Sequence, residues 1–338
     1  MTAPRAWRRR EFLGTLAAAG SLPLLARCGG GPPPPPRWGR DAYRKPVRSR
    51  VAVLRAETYD APLADLLRRG LRLCGVEARG RRVVLKPNLV EHDPAGAVNT
   101  HPAVVGAAVE AFRALGAREV VVAEGPGHRR DIEHLLTASG LLEVLRDARV
   151  PYVDLNHDAV RAVPLRTRCT ALGRLYLPET VLGAELVVSL AKLKTHHWAG
   201  VTLSLKNLFG VVPGGVYGWP KNVLHWAGIA GSILDLNATL AAPRVSIVDG
   251  IVGMEGDGPI RGRPRASGLL VLGQDPVAVD ATAARLMGIE PARVDYLREA
   301  DAFLGNLAEE RIEQVGELPG PLRQEYALPP RFAHLRAG

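Results

Sequence analysis

Short runs of β-branched and aliphatic residues recur along this chain at intervals that leave room for a helix between them. No other feature restricts the fold as much. VAVLRA at 51, RRVVLKPN at 81, REVVVAEG at 118, ELVVSLAKLK at 185, RVSIVDG at 244 and LLVLGQDP at 269 read as strands. Their nearly unbroken apolar stretches suit a sheet covered on both faces. PAVVGAAVEAFRALG (102–116), DIEHLLTASGLLEVL (131–145) and NVLHWAGIAGSILDLNATLAA (222–242) read as helices, the last with Ile229, Ile233, Leu236 and Leu240 on one stripe. DPVAVDATAARLMG opens with a capping Asp275 and a first-turn Pro276, and Gly288 can end it. The alternation predicts an α/β, doubly wound, largely parallel sheet with helices on both faces. Residues 150–180 break the rhythm: VPYVDLN, VRAVPLRT and GRLYLPE predict a small β excursion at one edge.

The charge is unevenly spread. Of the net +10, the first 50 residues account for +9, with eleven Arg or Lys against Glu11 and Asp41. What remains has no clustered basic footprint, which argues against a nucleic-acid partner. RRREFLGTLAAAGSLPLLARCGG joins a charged start to an apolar run too short to span a bilayer, the pattern of an export signal over residues 1–28. Its Arg9-Arg10 followed by Phe12-Leu13 is similar to a twin-arginine signal. The expected location is the periplasm or another extracytoplasmic site, with a membrane tether through the signal region or a lipidated Cys28; Arg27 replaces the small residue a lipoprotein signal would carry there. Residues 29–50 read as a linker, stiffened by the five prolines at 32–36, and 51–330 as a single α/β domain. Cys74 and Cys169 read as buried thiols. No Cys-x-x-Cys occurs, so no embedded iron–sulfur cluster is expected.

The polar motifs begin at the carboxyl ends of the expected strands, the edge where open α/β sheets bind ligands. VVLKPN supplies Lys86 and Asn88. VVVAEGPGH supplies Glu124, and VVSLAKLKTHH supplies Lys192, Lys194, His196 and His197. SIVDGIVGMEGDGP supplies Asp249, Glu255 and Asp257, and LVLGQDP supplies Asp275. His101-Pro102 opens a helix and could meet an anion there, or simply be a loop histidine. Lys206 and Asn207 sit in LSLKNLFG, on a helix whose buried stripe is expected to be Val201, Leu205, Leu208 and Val212. An ammonium among such neighbours either reaches for water along its own apolar stem or converges with Lys194 on an anion. Because neighbours alternate in regular structure, only one of His196 and His197 should face the site, and His196 is the choice. Asp249, Glu255, Asp257 and Asp275 could hold a divalent cation, though their spacing fits no established loop; Asp249 could instead pair with a lysine. Asp235 and Asp280 are expected to orient the lysines. Neither a dinucleotide fingerprint nor a P-loop is present.

KPNLV with the following THP, then KLKTH, GVTLSLKNLFGVVPG, VDGIVGMEGDGP and DPVAVDATAARLMG, resemble in order the family known as domain of unknown function 362, over about residues 51–290. The resemblance implies a fold akin to the N-terminal domain of lactate racemase. Some members are fused to ferredoxin-like modules, which implies redox work and a redox partner for those members; this chain lacks the cysteines of such a module.

The residues favour an exported enzyme acting on a small anionic molecule. In that reading Lys194 and Lys206 hold the anion, His196 acts as general acid or base, and Asp249 orients His196. Lys86, Asn88, His101, Glu124, Lys192, Asn207 and Asp257 would complete the binding wall. A non-catalytic ligand-binding protein and an accessory partner of a membrane redox complex remain the alternatives.

Overall fold

The computed structural model describes residue 43 and residues 45–94, 96–127 and 131–337. The expected signal segment, Cys28 and the proline run lie outside the described residues.

Strands alternate with helices as their apolar spacing requires. The first half comprises β1 (Ser49–Arg55), α1 (Leu63–Leu73), β2 (Arg82–Pro87), α2 (Pro102–Ala114), β3 (Glu119–Glu124), α3 (Ile132–Ala138), α4 (Leu141–Asp147) and β4 (Tyr152–Asp154). There follow β5 (Val160–Pro164), β6 (Arg174–Pro178), α5 (Glu179–Leu182), β7 (Leu186–His196), β8 (Gly200–Thr202), α6 (Ser204–Asn207), α7 (Gly214–Tyr217), α8 (Asn222–Trp226) and α9 (Ile229–Thr239). The chain closes with β9 (Arg244–Asp257), β10 (Arg261–Gly273), α10 (Pro276–Leu286), α11 (Asp295–Asp301) and β11 (Ile312–Gly316). Residues 102–116 hold one helix as expected, but 131–145 and 222–242 hold two each. Gly140 at φ +74° separates α3 from α4, and Gly228 at φ +104° separates α8 from α9, positions that side-chain-bearing residues rarely take.

Among the described residues the main sheet has nine strands in the order β11-β1-β10-β9-β7-β2-β3-β4, with β8 against β7. All run the same way except β10 and β8. β10 reverses because residues 258–260 leave no room for the crossover that a parallel neighbour demands. The β excursion is divided. β4 extends the main sheet beside β3, while β5 and β6 form a separate antiparallel pair.

Alternate side chains of the central strands feed two cores. Val83, Leu85, Val188, Leu190 and Ile247 meet Leu67 and Leu71 of α1, Val105 and Phe112 of α2, and Leu145 of α4. Val84, Val187, Ala191, Leu193 and Val248 meet Ile233 and Leu236 of α9 and Val277 and Ala281 of α10. The folded region also starts before Val51 and runs past residue 330. Ser49 donates to Asp275 at 2.5 Å, Lys45 reaches Asp301 at 3.0 Å, and Leu335 is buried. Cys74 and Cys169 are free, the first buried and the second half-buried, and burial pushes each thiol up to about 11. No helix among the described residues is long and apolar enough to cross a membrane.

Candidate functional site

β2, β3 and β7 are parallel neighbours, so their carboxyl ends share one edge of the sheet. At that edge lies a cavity of about 1020 Å³. Lys86, Asn88, Glu124, Lys194 and His196 reach it from the strand ends, and Lys206 and Asn207 from α6. Residues from distant stretches of sequence therefore meet at one place.

The four lysines of the cavity are in different states. Lys86 is saturated: it pairs with Glu124 and donates to Pro87 O at 2.9 Å and to Asn207 Oδ1 at 3.1 Å. Lys194 is fully buried without a carboxylate and donates to Val98 O at 2.8 Å and Pro259 O at 3.3 Å. Burial, then the charges of Lys192, Lys206 and Lys86, hold it well below the usual lysine range. Lys221 donates to Asn156 Oδ1 at 2.6 Å and Val212 O at 2.5 Å, and burial lowers it to about 7. Lys206 has no hydrogen-bond acceptor among the described residues. Its ammonium lies 3.9 Å from the centroid of the Phe209 ring, and burial and then Lys86 bring it to about 7. Against these four lysines, Glu124 is the one buried carboxylate among the described residues lining the cavity. Desolvation raises its pKa and Lys86 opposes that.

Two neutral acceptors also go without partners. Asn88 Oδ1 and Thr202 Oγ1 are buried, unbonded, and belong to residues of the cavity wall. A buried polar atom normally has a partner, so a cavity bordered by such atoms and an acceptor-free ammonium is shaped for a polar occupant.

Both histidines of the HH pair line the cavity, contrary to the alternation expected of them. β7 ends at His196, so His197 lies in the turn beyond and escapes the two-residue period. Backbone contacts fix which ring nitrogen carries the proton. His196 Nδ1 accepts from the amides of Trp198 at 2.9 Å and Ala199 at 3.2 Å, so the neutral ring carries its proton on Nε2. Burial, and then the Lys206 charge, keep it neutral, far below the ordinary histidine range. His197 Nδ1 faces Gly258 O at 2.7 Å and His225 Nδ1 faces Lys221 O at 3.0 Å. Each must donate to that carbonyl, which leaves Nε2 as an open lone pair when the ring is neutral. His225 is lowered to about 4, by burial first and by Lys206 second. It packs edge-on to Phe209 at 5.5 Å and to Trp198 at 5.0 Å, so one ring, Phe209, touches both His225 and Lys206.

Three expected site residues lie elsewhere. Lys192 and Asp249 are register partners on β7 and β9, joined at 2.8 Å. Tyr59 donates to Asp249 at 3.2 Å, accepts from Lys192 at 2.9 Å, and stacks on His101 at 3.6 Å. His101 caps α2 by accepting the Ala103 amide at 3.2 Å, and its own backbone amide donates to Asp249 at 3.1 Å. None of Lys192, Asp249 and His101 lines the cavity, so Asp249 does not orient His196. Lys192 and Asp249 follow Leu190 and Ile247 onto the face covered by α1 and α2, whereas Lys194, of the same parity, lies beyond a register shift in the β7–β9 pairing.

The acids considered for a cation are likewise apart. Glu255 serves Arg263 at 3.3 Å and the Ala327 amide at 3.0 Å, Asp275 caps α10, and Asp257 is an exposed residue of the cavity rim. No group of three or more His, Cys, Asp or Glu suited to a metal ion occurs among the described residues. Asp280 bonds Ser204 Oγ at 2.5 Å and the Ser204 and Leu205 amides at 2.8 and 2.9 Å, anchoring the helix that carries Lys206. Asp235 instead holds residues 167–170, including the Thr170 amide at 2.8 Å, and touches no lysine. The stripe expected around Lys206 is buried, but α6 is a single turn; Val201 belongs to β8 and Val212 follows the 3₁₀ turn.

Comparison with known proteins sets this geometry in a family. A family described as domain of unknown function (DUF362) matches residues 83–285. The chain belongs to that family. A thylakoid-associated protein of Synechocystis sp. is 32% identical to this DUF362 chain over 253 residues, which is 72% of this chain and 76% of that protein. A crystal structure of a protein from Thermotoga maritima is similar with a TM-score of 0.36 and 14% identity, covering 62% of this chain and 55% of the other. The lactate racemase apoprotein from Thermoanaerobacterium thermosaccharolyticum gives a TM-score of 0.32 and 12% identity, covering 69% and 56%. The DUF362 chain thus spans just over half the length of either solved structure.

The sequence reading missed Lys221, His225 and Thr202 within the DUF362 match, and Tyr59 before it. Lys221 stands at φ +70°, a strained conformation for a side-chain-bearing residue. The sequence signal was GWPK, a cation directly after an aromatic and a proline in a stretch without helical or strand period.

Proposed function

We propose that this DUF362 protein is an enzyme that binds a small anionic substrate in the strand-end cavity and moves a proton on it. One observation carries the reading: four buried lysines border the cavity and one buried carboxylate answers them among the described residues. A buried cation without a counter-charge is costly, and an anionic ligand supplies that charge. Lys194 and Lys221 each have two carbonyl acceptors and a third N–H left for the ligand. His196 offers Nε2–H as a neutral donor, and the open Nε2 of His197 or His225 can accept a proton. The division into one histidine donor and two histidine acceptors favours catalysis over passive binding. Export through the twin-arginine segment, with the cavity working outside the cytoplasm, is part of the proposal; a thylakoid-associated relative fits a membrane-apposed setting.

The test is ligand-dependent stability. Thermal unfolding is followed with succinate, malonate, phosphate and pyruvate, each compared between the wild type and Lys194→Met. A ligand at about a hundred times its Kd stabilises the wild type by about 2.7 kcal/mol. The variant should lose most of that gain. Equal responses from the two proteins would remove the cavity from the binding of these anions.

A further inference from the structure

Lys206 differs from its neighbours in a way that anion binding does not explain. Lys86, Lys194 and Lys221 all donate to oxygen acceptors, and such acceptors favour the ammonium form. Lys206 has no acceptor among the described residues, is 8% exposed, and has an aromatic ring as its polarisable neighbour. Asp280 fixes its helix through two backbone amides and a serine hydroxyl, so the backbone that carries the amine is held in place. An amine in an apolar wall beside other cations is a modest anchor for an anion, because its surroundings oppose the charge that would do the anchoring. The same surroundings suit a nucleophile. Beside it in the cavity wall stand the unbonded Thr202 hydroxyl, the His196 Nε2–H and the His225 ring that shares Phe209.

From this arrangement we infer that Lys206 is an imine-forming amine and that the substrate carries a carbonyl next to its negative charge, as in a 2-oxo acid. The inference rests on the anionic reading of the same cavity and names the class of anion. The Lys206 Nζ lone pair forms a bond to the carbonyl carbon, and the C=O π electrons move to oxygen, where Thr202 and His196 can donate. One proton passes from nitrogen to that oxygen, with His225 Nε2 as a carrier, giving a carbinolamine. A second proton, taken up from solvent through His225 Nε2, reaches the hydroxyl, the C–O bond breaks, water leaves, and the nitrogen lone pair closes the C=N bond. The resulting iminium draws electrons from the adjacent carbon, which makes a proton there removable by a histidine base. At neutral pH about half of Lys206 is free amine, against about one part in 10³ of an ordinary lysine.

The experiment treats the purified protein with pyruvate, glyoxylate or 2-oxoglutarate together with sodium cyanoborohydride, then maps modified peptides by mass spectrometry. One reduced adduct on Lys206 is expected, saturable in the oxo acid and absent from Lys206→Arg. Its rate should rise as pH climbs through about 7, where the amine loses its proton. Adducts on Lys194 or Lys221, or spread over surface lysines, overturn the inference, as does no adduct with any of the three acids. A parallel stability titration with malonate, which has no ketone, separates the two readings. Stabilisation by malonate without an adduct leaves the anion site and removes the imine; neither response removes both.

Discussion

Lys192 and Asp249 face each other in register on β7 and β9, and their side chains meet at 2.8 Å with both almost wholly out of solvent. The carboxylate also takes the Tyr59 hydroxyl and the His101 and Ile251 amides, so it ties two strands, the start of α2 and the loop after β1 together. Asp249→Asn would leave the Lys192 ammonium buried without a counter-charge, and the expected cost is about 3–5 kcal/mol. Urea unfolding measures it. Replacing both partners, Lys192→Met with Asp249→Leu, should recover most of the loss, since a well-packed apolar pair often equals a buried ion pair. If the single substitution proves as mild as a surface change, the pair is not the tie described.

The course of the chain could be read from its periodicity, and so could the edge at which chemistry gathers. Lys86, Glu124 and Lys194 end parallel strands, and parallel strands end together, so their meeting follows from the alternation of strand and helix. The side of the sheet was harder to read. Lys192 and Lys194 share a parity, but the pairing of β7 with β9 shifts register between them, and no local signal in LAKLKTHH announces the shift. Hence the sequence leaves Asp249 open to His196 or to a lysine, and the structure pairs it with Lys192. Lys221 escapes for a different reason, and His225 because it lies in a segment that reads as one long helix. The chain from 208 to 228 is built of single-turn helices and glycine-proline corners, where neither the 3.6 nor the 2.0 period operates.

Lys206→Met should make the ligand-free protein more stable while removing its reactive amine. Burial depresses the folded-state lysine to about 7, below the value near 10.4 of an unfolded chain. Between those values the unfolded state binds more protons, so wild-type stability rises with pH across that window, and the full penalty is present below pH 7. The substitution deletes this penalty. A gain of about 1–3 kcal/mol is expected at pH 6, shrinking toward nothing near pH 10, after allowance for the Phe209 contact that favours the cation. Unfolding curves of both proteins at pH 6, 8 and 9.5 check the sign.

Anion binding should take up protons. With Lys221 and Lys206 each near 7, both are mostly neutral amines in the ligand-free cavity at pH 8, and burial with neighbouring cations also lowers Lys194. A carboxylate or phosphate favours the ammonium forms and raises their pKa values. Calorimetry of malonate binding at pH 8, in buffers of different ionisation enthalpy, should report a net uptake of roughly one proton or more. Affinity should improve as pH falls from 8 to 6. Binding without proton exchange would mean that the lysines were already charged in the empty protein.

Gly210 tests how tightly the cavity floor is built. Its carbonyl accepts the Gly125 amide at 3.1 Å, which brings the turn after α6 against the end of β3. A Cβ there would run into the Glu124 carboxylate and come within 2.7 Å of Lys86 Nζ, in a place where both groups are fixed by further hydrogen bonds. Neither can retreat without exposing a buried charge to an apolar wall. Gly210→Ala should therefore cost about 1–3 kcal/mol, the usual range for an over-packed core. It should also lower malonate affinity, because Asn207 bonds Lys86 and lies one residue from Lys206. Glu124→Gln in the Gly210→Ala background gives the discriminating result. If the damage is done through the ion pair, the two losses will be strongly non-additive in a double-mutant cycle. If they simply add, the alanine acts elsewhere in the turn, and the coupling of the pair to the cavity floor is wrong.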